Sequence, residues 1–454
     1  MEKIKFADLR KTVYYLKRNG LKKTLSAVRE RVDASGQEPY LWEPLSQAER
    51  EAQRRQAGDM GFSVTFSIVT PTYRTPEKYL RELIESLRNQ TYDRWELVLA
   101  DATGDDSVKR VAESYADKRI RYKKLAQNGG IAENTNAGLA AARGDYIGLL
   151  DHDDVLTENA LFEMASEIER RPGDGGAPLL LYSDEDKCNG EMTEYYDPNR
   201  KEDFNLDLLL SNNYICHFLV MERELIQSLG LRGQYEGAQD YDLVLRAAER
   251  LGAEKEPCAG RIRHIPLVLY HWRCHSSSTA ANPASKRYAY EAGRRAVQEF
   301  VRGRQWKARA VDTEHLGFYR LEYEGSLFES RKDVGAVGGR ILRGGRVAGG
   351  RMSAEGRVFY EGLPASYSGY LHRAVLPQDA EALDLRNIQV APPLWEIFAR
   401  AAGVTYRELP DKHIFDVSLL PPGTDVTELS IRVSLALRKA GYRLLYLPER
   451  SVEV

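Results

Sequence analysis

Gly144-Asp145-Tyr146-Ile147-Gly148-Leu149-Leu150-Asp151-His152-Asp153-Asp154 is the stretch whose reading decides the fold. A short apolar run that ends abruptly in three carboxylates describes a buried parallel strand. The C-terminal end of such a strand opens into a crevice, where open α/β sheets bind ligands. Carboxylates crowded there repel one another unless a cation lies between them. Hard divalent ions take oxygen ligands, and Mg²⁺ combines one or two carboxylates with substrate phosphates, so Mn²⁺ or Mg²⁺ is the expected cofactor. The plainer reading is a solvated acidic turn before a helix that begins near Thr157.

Upstream, strand and helix alternate. A strand over 66–69 precedes a helix opened by Pro76, with Leu80, Leu83, Ile84 and Leu87 on one face. A strand over 95–100 stops at Asp101. A helix over 107–116, a strand over 119–124 and a helix over 132–142 lead to the strand that enters Asp151. Three successive βα units predict a doubly wound parallel sheet with right-handed crossovers, whose binding edge carries the loops after Val69, Ala100 and Leu150. The first loop, Thr70-Pro71-Thr72-Tyr73, is not a Gly-x-Gly-x-x-Gly turn, and no Gly-Lys-Ser/Thr loop occurs. A nicotinamide dehydrogenase and a phosphate-loop ATPase are therefore disfavoured. Asp101, at a strand end, has two oxygens with which to accept hydrogen bonds from a base or ribose; otherwise it starts the turn Ala102-Thr103-Gly104.

Downstream, Tyr182-Ser183-Asp184-Glu185-Asp186 closes another apolar strand, and Asn212-Asn213-Tyr214 precedes the strand-like His217-Phe218-Leu219-Val220. Gly237-Ala238-Gln239-Asp240-Tyr241-Asp242 feeds a helix on which Leu243, Ala247 and Leu251 share a face, so its first turn carries Asp240 and Asp242. Read plainly, Asp240 is an N-cap. His271 and His275 stand four apart, but Tyr270-His271-Trp272-Arg273-Cys274-His275 follows a strand and reads as a loop, where helical zinc-ligand spacing has no force. A helix over 283–302, glycine-rich strands and turns over 335–356, a helix over 429–440 and a strand over 442–448 complete the chain.

Six segments together resemble the family 2 glycosyltransferases of the GT-A fold. They are Val69-Thr70-Pro71-Thr72-Tyr73, Ala100-Asp101-Ala102-Thr103-Gly104-Asp105, Asn128-Gly129-Gly130-Ile131, Asn136-Ala137-Gly138, Gly144-Asp145-Tyr146-Ile147 and Leu150-Asp151-His152-Asp153-Asp154. The resemblance implies that Pro71, Thr72, Tyr73 and Asp101 hold a nucleotide. It implies that Asp151 and Asp153 join a metal to the diphosphate of a sugar donor, and that Arg273 and His275 reach the same diphosphate or metal, Asp153 and His275 being the metal ligands. Gln239-Asp240 resembles the family's Glu-Asp motif, which makes Asp240 the catalytic base, with Gln239 in place of the usual Glu. Asp184, Glu185 and Trp272 fall on the acceptor side. Many members carry an Arg where this chain has Thr135, so any contact that Arg makes is supplied elsewhere or absent. The run from Leu181 to Ser278 is similar to members that build bacterial surface polysaccharides, O-antigen and rhamnose-transferring types included.

The chain has 454 residues, 43% hydrophobic and 29% charged, and a net charge of −2, which disfavours bulk nucleic-acid binding. Its four cysteines form no Cys-x-x-Cys pair, in keeping with a reducing cytosol. No secretory h-region and no run of 18 apolar residues is present. The expected location is cytoplasmic, with peripheral contact to the inner membrane face through residues 1–31, where ten Lys/Arg face three Asp/Glu; a solvated helical hairpin is the alternative. The expected domains are 1–60, helical segment and linker; 61–310, an α/β transferase; and 311–454, an α+β domain. For the last, a degenerate second transferase copy, used for packing, acceptor contact or dimerisation, competes with an unrelated domain. The parallel behind the copy is Asp425-Val426-Thr427-Glu428-Leu429 with Asp240-Tyr241-Asp242-Leu243.

These readings converge on a metal-dependent inverting glycosyltransferase. Its expected partners are a UDP- or dTDP-sugar and a glycan or polyprenyl-linked acceptor. A nucleotidyltransferase would need a Gly/Arg/Lys pyrophosphate loop after the first strand, which is missing. A scaffold with a decayed site would have no reason to keep Asp151, Asp153 and Asp240 together.

Overall fold

The computed structural model describes residues 40–61, 63–170, 176–252, 260–275 and 287–454. The basic segment 1–31, its expected helices and its membrane contact lie outside them. Helix α1 (Gln47–Asp59) comes first, where a linker was expected. Ser46 Oγ accepts from the Glu49 amide at 3.3 Å while the Ser46 amide donates to Glu49 Oε2 at 2.7 Å, a reciprocal cap that satisfies two donors left free at a helix start. The Ser-x-x-Glu signature was present in the sequence. Arg50 pairs with Glu158 at 2.7 Å, and α1 lies in the same compact unit as the α/β sheet that follows.

Strands β1 (Phe66–Thr72), β2 (Trp95–Asp101), β3 (Ile120–Lys124) and β4 (Tyr146–Leu149) pair in parallel in the order β3-β2-β1-β4, joined by α2 (Glu77–Arg88), α3 (Ser107–Ser114) and α4 (Ile131–Ala141). Phe66, Ile68, Leu97 and Leu99 are fully buried, as a parallel sheet covered by helices on its faces requires. A Cβ on Gly148 would stand 2.8 Å from Phe218 Cζ, so glycine there lets that ring lie across the strand.

The sheet continues through β5 (Val155–Leu156), β6 (Leu180–Asn189), β7 (Tyr195–Asn199), β8 (Leu219–Glu222) and β9 (Ile262–Cys274) in the order β4-β8-β6-β9-β5, with β7 on β6. β8 runs antiparallel to both β4 and β6, whereas β6 and β9 are parallel. The helices of this part are α5 (Ala160–Arg170), α6 (Leu206–Ser211), α7 (Arg223–Leu229), α8 (Gln239–Arg250) and α9 (Arg287–Gly303). β9 extends through Tyr270 to Cys274, where a loop was expected. This alters which way its side chains point.

Two units divide the described chain: Tyr40–Asn205 with Asn212–Arg304, and Leu206–Ser211 with Gln305–Val454. The second unit takes up α6, which lies in sequence between two stretches of the first. Asp207 on α6 is its anchor, paired with Arg331 at 2.7 Å and Arg443 at 2.7 Å, while Asp333 and Asp379 complete the buried network. Within this unit, β10 (Val334–Gly338) runs antiparallel to β11 (Ile388–Val390) and parallel to β12 (Arg443–Tyr446). Helices α10 (Trp395–Ala402) and α11 (Val426–Lys439) lie between β11 and β12 in sequence. Strand, strand, helix, helix, strand, with these senses, is also the order of β6, β8, α7, α8 and β9. No helix among the described residues is long and apolar enough to cross a membrane.

Candidate active site

The loop beyond β4 meets the end of β9. Beyond β4, Asp154 is 1% exposed; its Oδ2 accepts from Tyr270 OH at 2.5 Å and its Oδ1 from the Arg273 amide at 2.7 Å. Burial, then the Asp153 and Asp151 carboxylates, push the Asp154 carboxyl well above its usual range. Asp151 is more than half open to solvent, yet desolvation in the recess raises its carboxyl too, with His217 opposing and Asp153 and Asp240 adding to the rise. Asp153 Oδ2 lies 2.9 Å from His275 Nε2. A carboxylate oxygen and an imidazole nitrogen thus converge from two chain segments, a donor pair that fits a divalent ion with coordination positions left for phosphate and water.

Arg273 departs from its expected place on the diphosphate, because its side chain is wholly buried. Its guanidinium donates to the Asp153 carbonyl at 2.5 Å and the Gly190 carbonyl at 2.9 Å, pairs with Glu82 at 2.8 Å and lies over the Tyr79 ring. It fixes the backbone of the acidic loop instead of facing the cleft.

Asp101, expected to accept from a base or ribose, is likewise fully buried. Oδ1 accepts from Thr72 Oγ1 at 3.1 Å and the Thr103 amide at 2.9 Å, Oδ2 accepts from Tyr122 OH at 2.9 Å, and Lys124 Nζ stands 3.9 Å away. Those contacts take three of the roughly four lone-pair sites of the carboxylate. Thr72 is buried with it, Pro71 is half-buried, and Tyr73 is the open residue of this loop at 40% exposure, with Arg74 over its ring.

On the other side of the acidic loop, Glu185 and Asp240 are linked to Asp151 through residues that sequence reasoning passed over. His217 Nδ1 lies 3.2 Å from Glu185 Oε2 and its Nε2 3.8 Å from Asp151 Oδ2, with the ring stacked on Tyr270. Fully buried Lys201 sits 3.5 Å from Glu185 and donates to the Ile215 carbonyl at 2.6 Å. Burial alone would raise the Glu185 carboxyl, but Lys201 and His217 bring it down to about 2. Burial likewise opposes charge on His217, yet Cys216 and the Glu185 carboxylate hold its imidazole well above the usual range. Cys216 Sγ bridges His217 Nε2 at 3.6 Å and Asp240 Oδ2 at 3.9 Å.

Asp240 is the second residue of α8 and not its cap, which is Ala238. Asn213 Nδ2 donates to its Oδ2 at 2.8 Å. Asp242 points elsewhere, into buried pairs with Arg232 and Arg246. Asp184, expected on the acceptor side, is 2% exposed and taken up by the Lys201 amide at 2.8 Å and His264 Nε2 at 2.8 Å. Trp272 is half-buried, its ring 5.8 Å from that of His217. His271 faces buried Asp186 at 2.5 Å, away from His275.

Residues 67–230 match the family model described as "Glycosyl transferase family 2". A protein of Sinorhizobium fredii is 41% identical over 239 residues, 52% of this chain and 25% of that protein. The O-antigen biosynthesis protein RfbC of Myxococcus xanthus is 36% identical over 261 residues, 57% of this chain and 19% of RfbC. The matched region thus spans a quarter or less of these relatives. The solved structure of S. aureus TarS 1-349 in complex with UDP-GlcNAc aligns at 21% identity with a TM-score of 0.41, covering 52% of this chain and 66% of that one. Residues 67–230 carry the match to family 2 glycosyltransferases, and they lie within a mixed α/β sheet.

Proposed function

We propose that the first unit transfers a sugar, with inversion, from a nucleotide-diphosphate donor such as a UDP- or dTDP-sugar to a hydroxyl of a glycan or polyprenyl-linked acceptor. Bacterial surface-polysaccharide synthesis is the setting in which this reading places it. The observation that carries it is the placement of Asp240 against the acidic loop, one thiol and one imidazole away from Asp151.

An acceptor hydroxyl is a weak nucleophile until its proton leaves, and Asp240 is the group to take that proton as the hydroxyl attacks the anomeric carbon. The bond to the diphosphate breaks on the opposite face, which inverts the centre. Negative charge then gathers on the leaving nucleotide. Asp153 and His275 would hold Mn²⁺ or Mg²⁺, which supplies charge stabilisation to the leaving diphosphate when bound. Arg273 and Asp154 keep the acidic loop in place, Tyr73 offers an open ring to the nucleotide, and Glu185 with His217 and Trp272 walls the acceptor side.

In this reading the second unit is a catalytically silent partial copy of the transferase. Its strand order supports that origin, and the counterpart of the crevice is filled. A Cβ on Gly339 would stand 1.8 Å from the Arg450 carbonyl oxygen, and Asn387 Nδ2 donates across the gap to the Arg340 and Arg450 carbonyls at 3.0 and 2.5 Å. Asp425, the counterpart of Asp240 in the sequence parallel, caps α11 by accepting from the Glu428 amide at 3.1 Å. The test of the base is Asp240→Asn, expected to retain donor binding while turnover falls ~10²-fold or more. A loss of less than a few-fold would overturn the assignment.

A further inference from the structure

We infer that Asn213 is a positioning residue that reserves one oxygen of Asp240 for the acceptor. The inference rests on the reading of Asp240 as the base. A carboxylate in that role must present a free lone pair in a fixed direction, because proton transfer requires hydrogen-bond reach along one line. Among the described residues Asp240 has no ion pair to fix it, unlike its neighbour Asp242. What orients it is the Asn213 amide, whose Nδ2 donates to Oδ2 at 2.8 Å, with Cys216 Sγ 3.9 Å from the same oxygen.

Both contacts fall on Oδ2. Among the described residues none falls on Oδ1, which leaves that atom for the acceptor hydroxyl. Asn213 is itself oriented, its Oδ1 accepting from the Cys216 amide at 3.4 Å, so the turn that carries His217 also aims the amide. Because Asn213 is neutral, it fixes the carboxylate without neutralising it. An Arg or Lys at this place would hold Asp240 as tightly but would lower its basicity through its charge. A metal across this cluster is not required: Glu185, Cys216 and His217 could approach one ion together, but the buried ammonium of Lys201 already faces Glu185.

The experiment is a mutant cycle in the full-length chain, measured with the donor and acceptor pair that supports turnover. Asn213→Ala is expected to lower kcat ~10-fold while KM for the donor and the affinity for the free nucleotide stay within two-fold, the split for a group that acts only on the transition state. Asn213→Asp, which keeps the shape but replaces the donor with a like charge, is expected to lose more than Asn213→Ala; a purely structural contact would rank the isosteric variant as the milder one. In an Asp240→Asn background, Asn213→Ala is expected to cost less than two-fold, because residues that act as one unit are non-additive.

Equal fold-losses from Asn213→Ala in both backgrounds, or a raised donor KM with kcat unchanged, would overturn the inference. Thermal melting of each variant, expected within about 2 °C of wild type, separates misfolding from mispositioning; a surface-accessible amide contact is worth only about 1 kcal/mol. If Asp240→Asn itself retains turnover, the base assignment fails first. If Asp240→Asn is inactive and Asn213→Ala is not, only the present inference fails.

Discussion

Removing the Asp207 carboxylate should cost the second unit several kcal/mol. Asp207 is 4% exposed and accepts a two-pronged contact from Arg331, at 2.7 and 2.9 Å, plus a third hydrogen bond from Arg443 at 2.7 Å. Arg331 is fully buried over the Trp306 ring and has no route to water. Breaking a buried pair by deleting one partner typically costs ~3–5 kcal/mol. Asp333 and Asp379 remain as counter-ions, so Asp207→Ala should fall near the lower end, ~3 kcal/mol. For a unit of this size that corresponds to a Tm lower by about 6–12 °C.

The assay is calorimetry or a near-UV circular-dichroism melt of the full chain at neutral pH. Burial would raise the Asp207 carboxyl, but Arg331 and Arg443 outweigh it and hold it depressed, so this stability is present above the unfolded value of about 3.9 and is lost as pH falls through the folded one. The wild-type to variant gap should therefore narrow on acidification. A shift below about 2 °C at pH 7, or a gap that widens in acid, would refute the reasoning.

Two further outcomes follow from single residues. His264 sits between Asp184 and Asp203; burial opposes its charge, but the two carboxylates outweigh it and raise its pKa. Its stabilisation is thus complete below about pH 6.5 and disappears as pH rises through the folded value, so His264→Gln should lower the urea midpoint at pH 5.5 and much less at pH 9; an equal loss at both would contradict this. Asp425→Ala should cost ~1 kcal/mol as a lost helix cap and leave turnover within about two-fold, and a loss like that of Asp240→Asn would bring the second unit into the chemistry.

The parallel half of the sheet was legible because apolar runs, helical periodicity and strand-end acids all point the same way from residue 66 to residue 154. The approach of Asp153 to His275 followed from motif order. The fate of Arg273 did not: reading β9 as a loop removed the alternation that decides which side chains turn inward. The surroundings of Asp101 were hidden for a related reason, since Thr72 and Tyr122, which donate to its oxygens, come from two strands whose register no local pattern reports. Lys201, His217 and Asn213 carried no spacing signal, and their roles exist only after β6, β8 and α8 have met. The segment Leu206-Asp207-Leu208-Leu209-Leu210-Ser211 reads as an ordinary apolar helix, and only the distant arginines Arg331 and Arg443 assign it to the second unit.

The most direct test is a nucleotide-sugar panel presented to purified full-length chain with and without Mn²⁺, reading nucleotide release and thermal shift, with Asp153→Asn in parallel. Ligand bound at 100 times its Kd stabilises the folded state by about 2.7 kcal/mol, enough to register as a shift in melting. At least one UDP-, dTDP- or other diphosphate sugar should raise the Tm and release its nucleotide in a metal-dependent manner, with both effects lost in Asp153→Asn. Release and binding that persist in Asp153→Asn at the wild-type level, or that ignore the metal, would contradict a site built on the acidic loop.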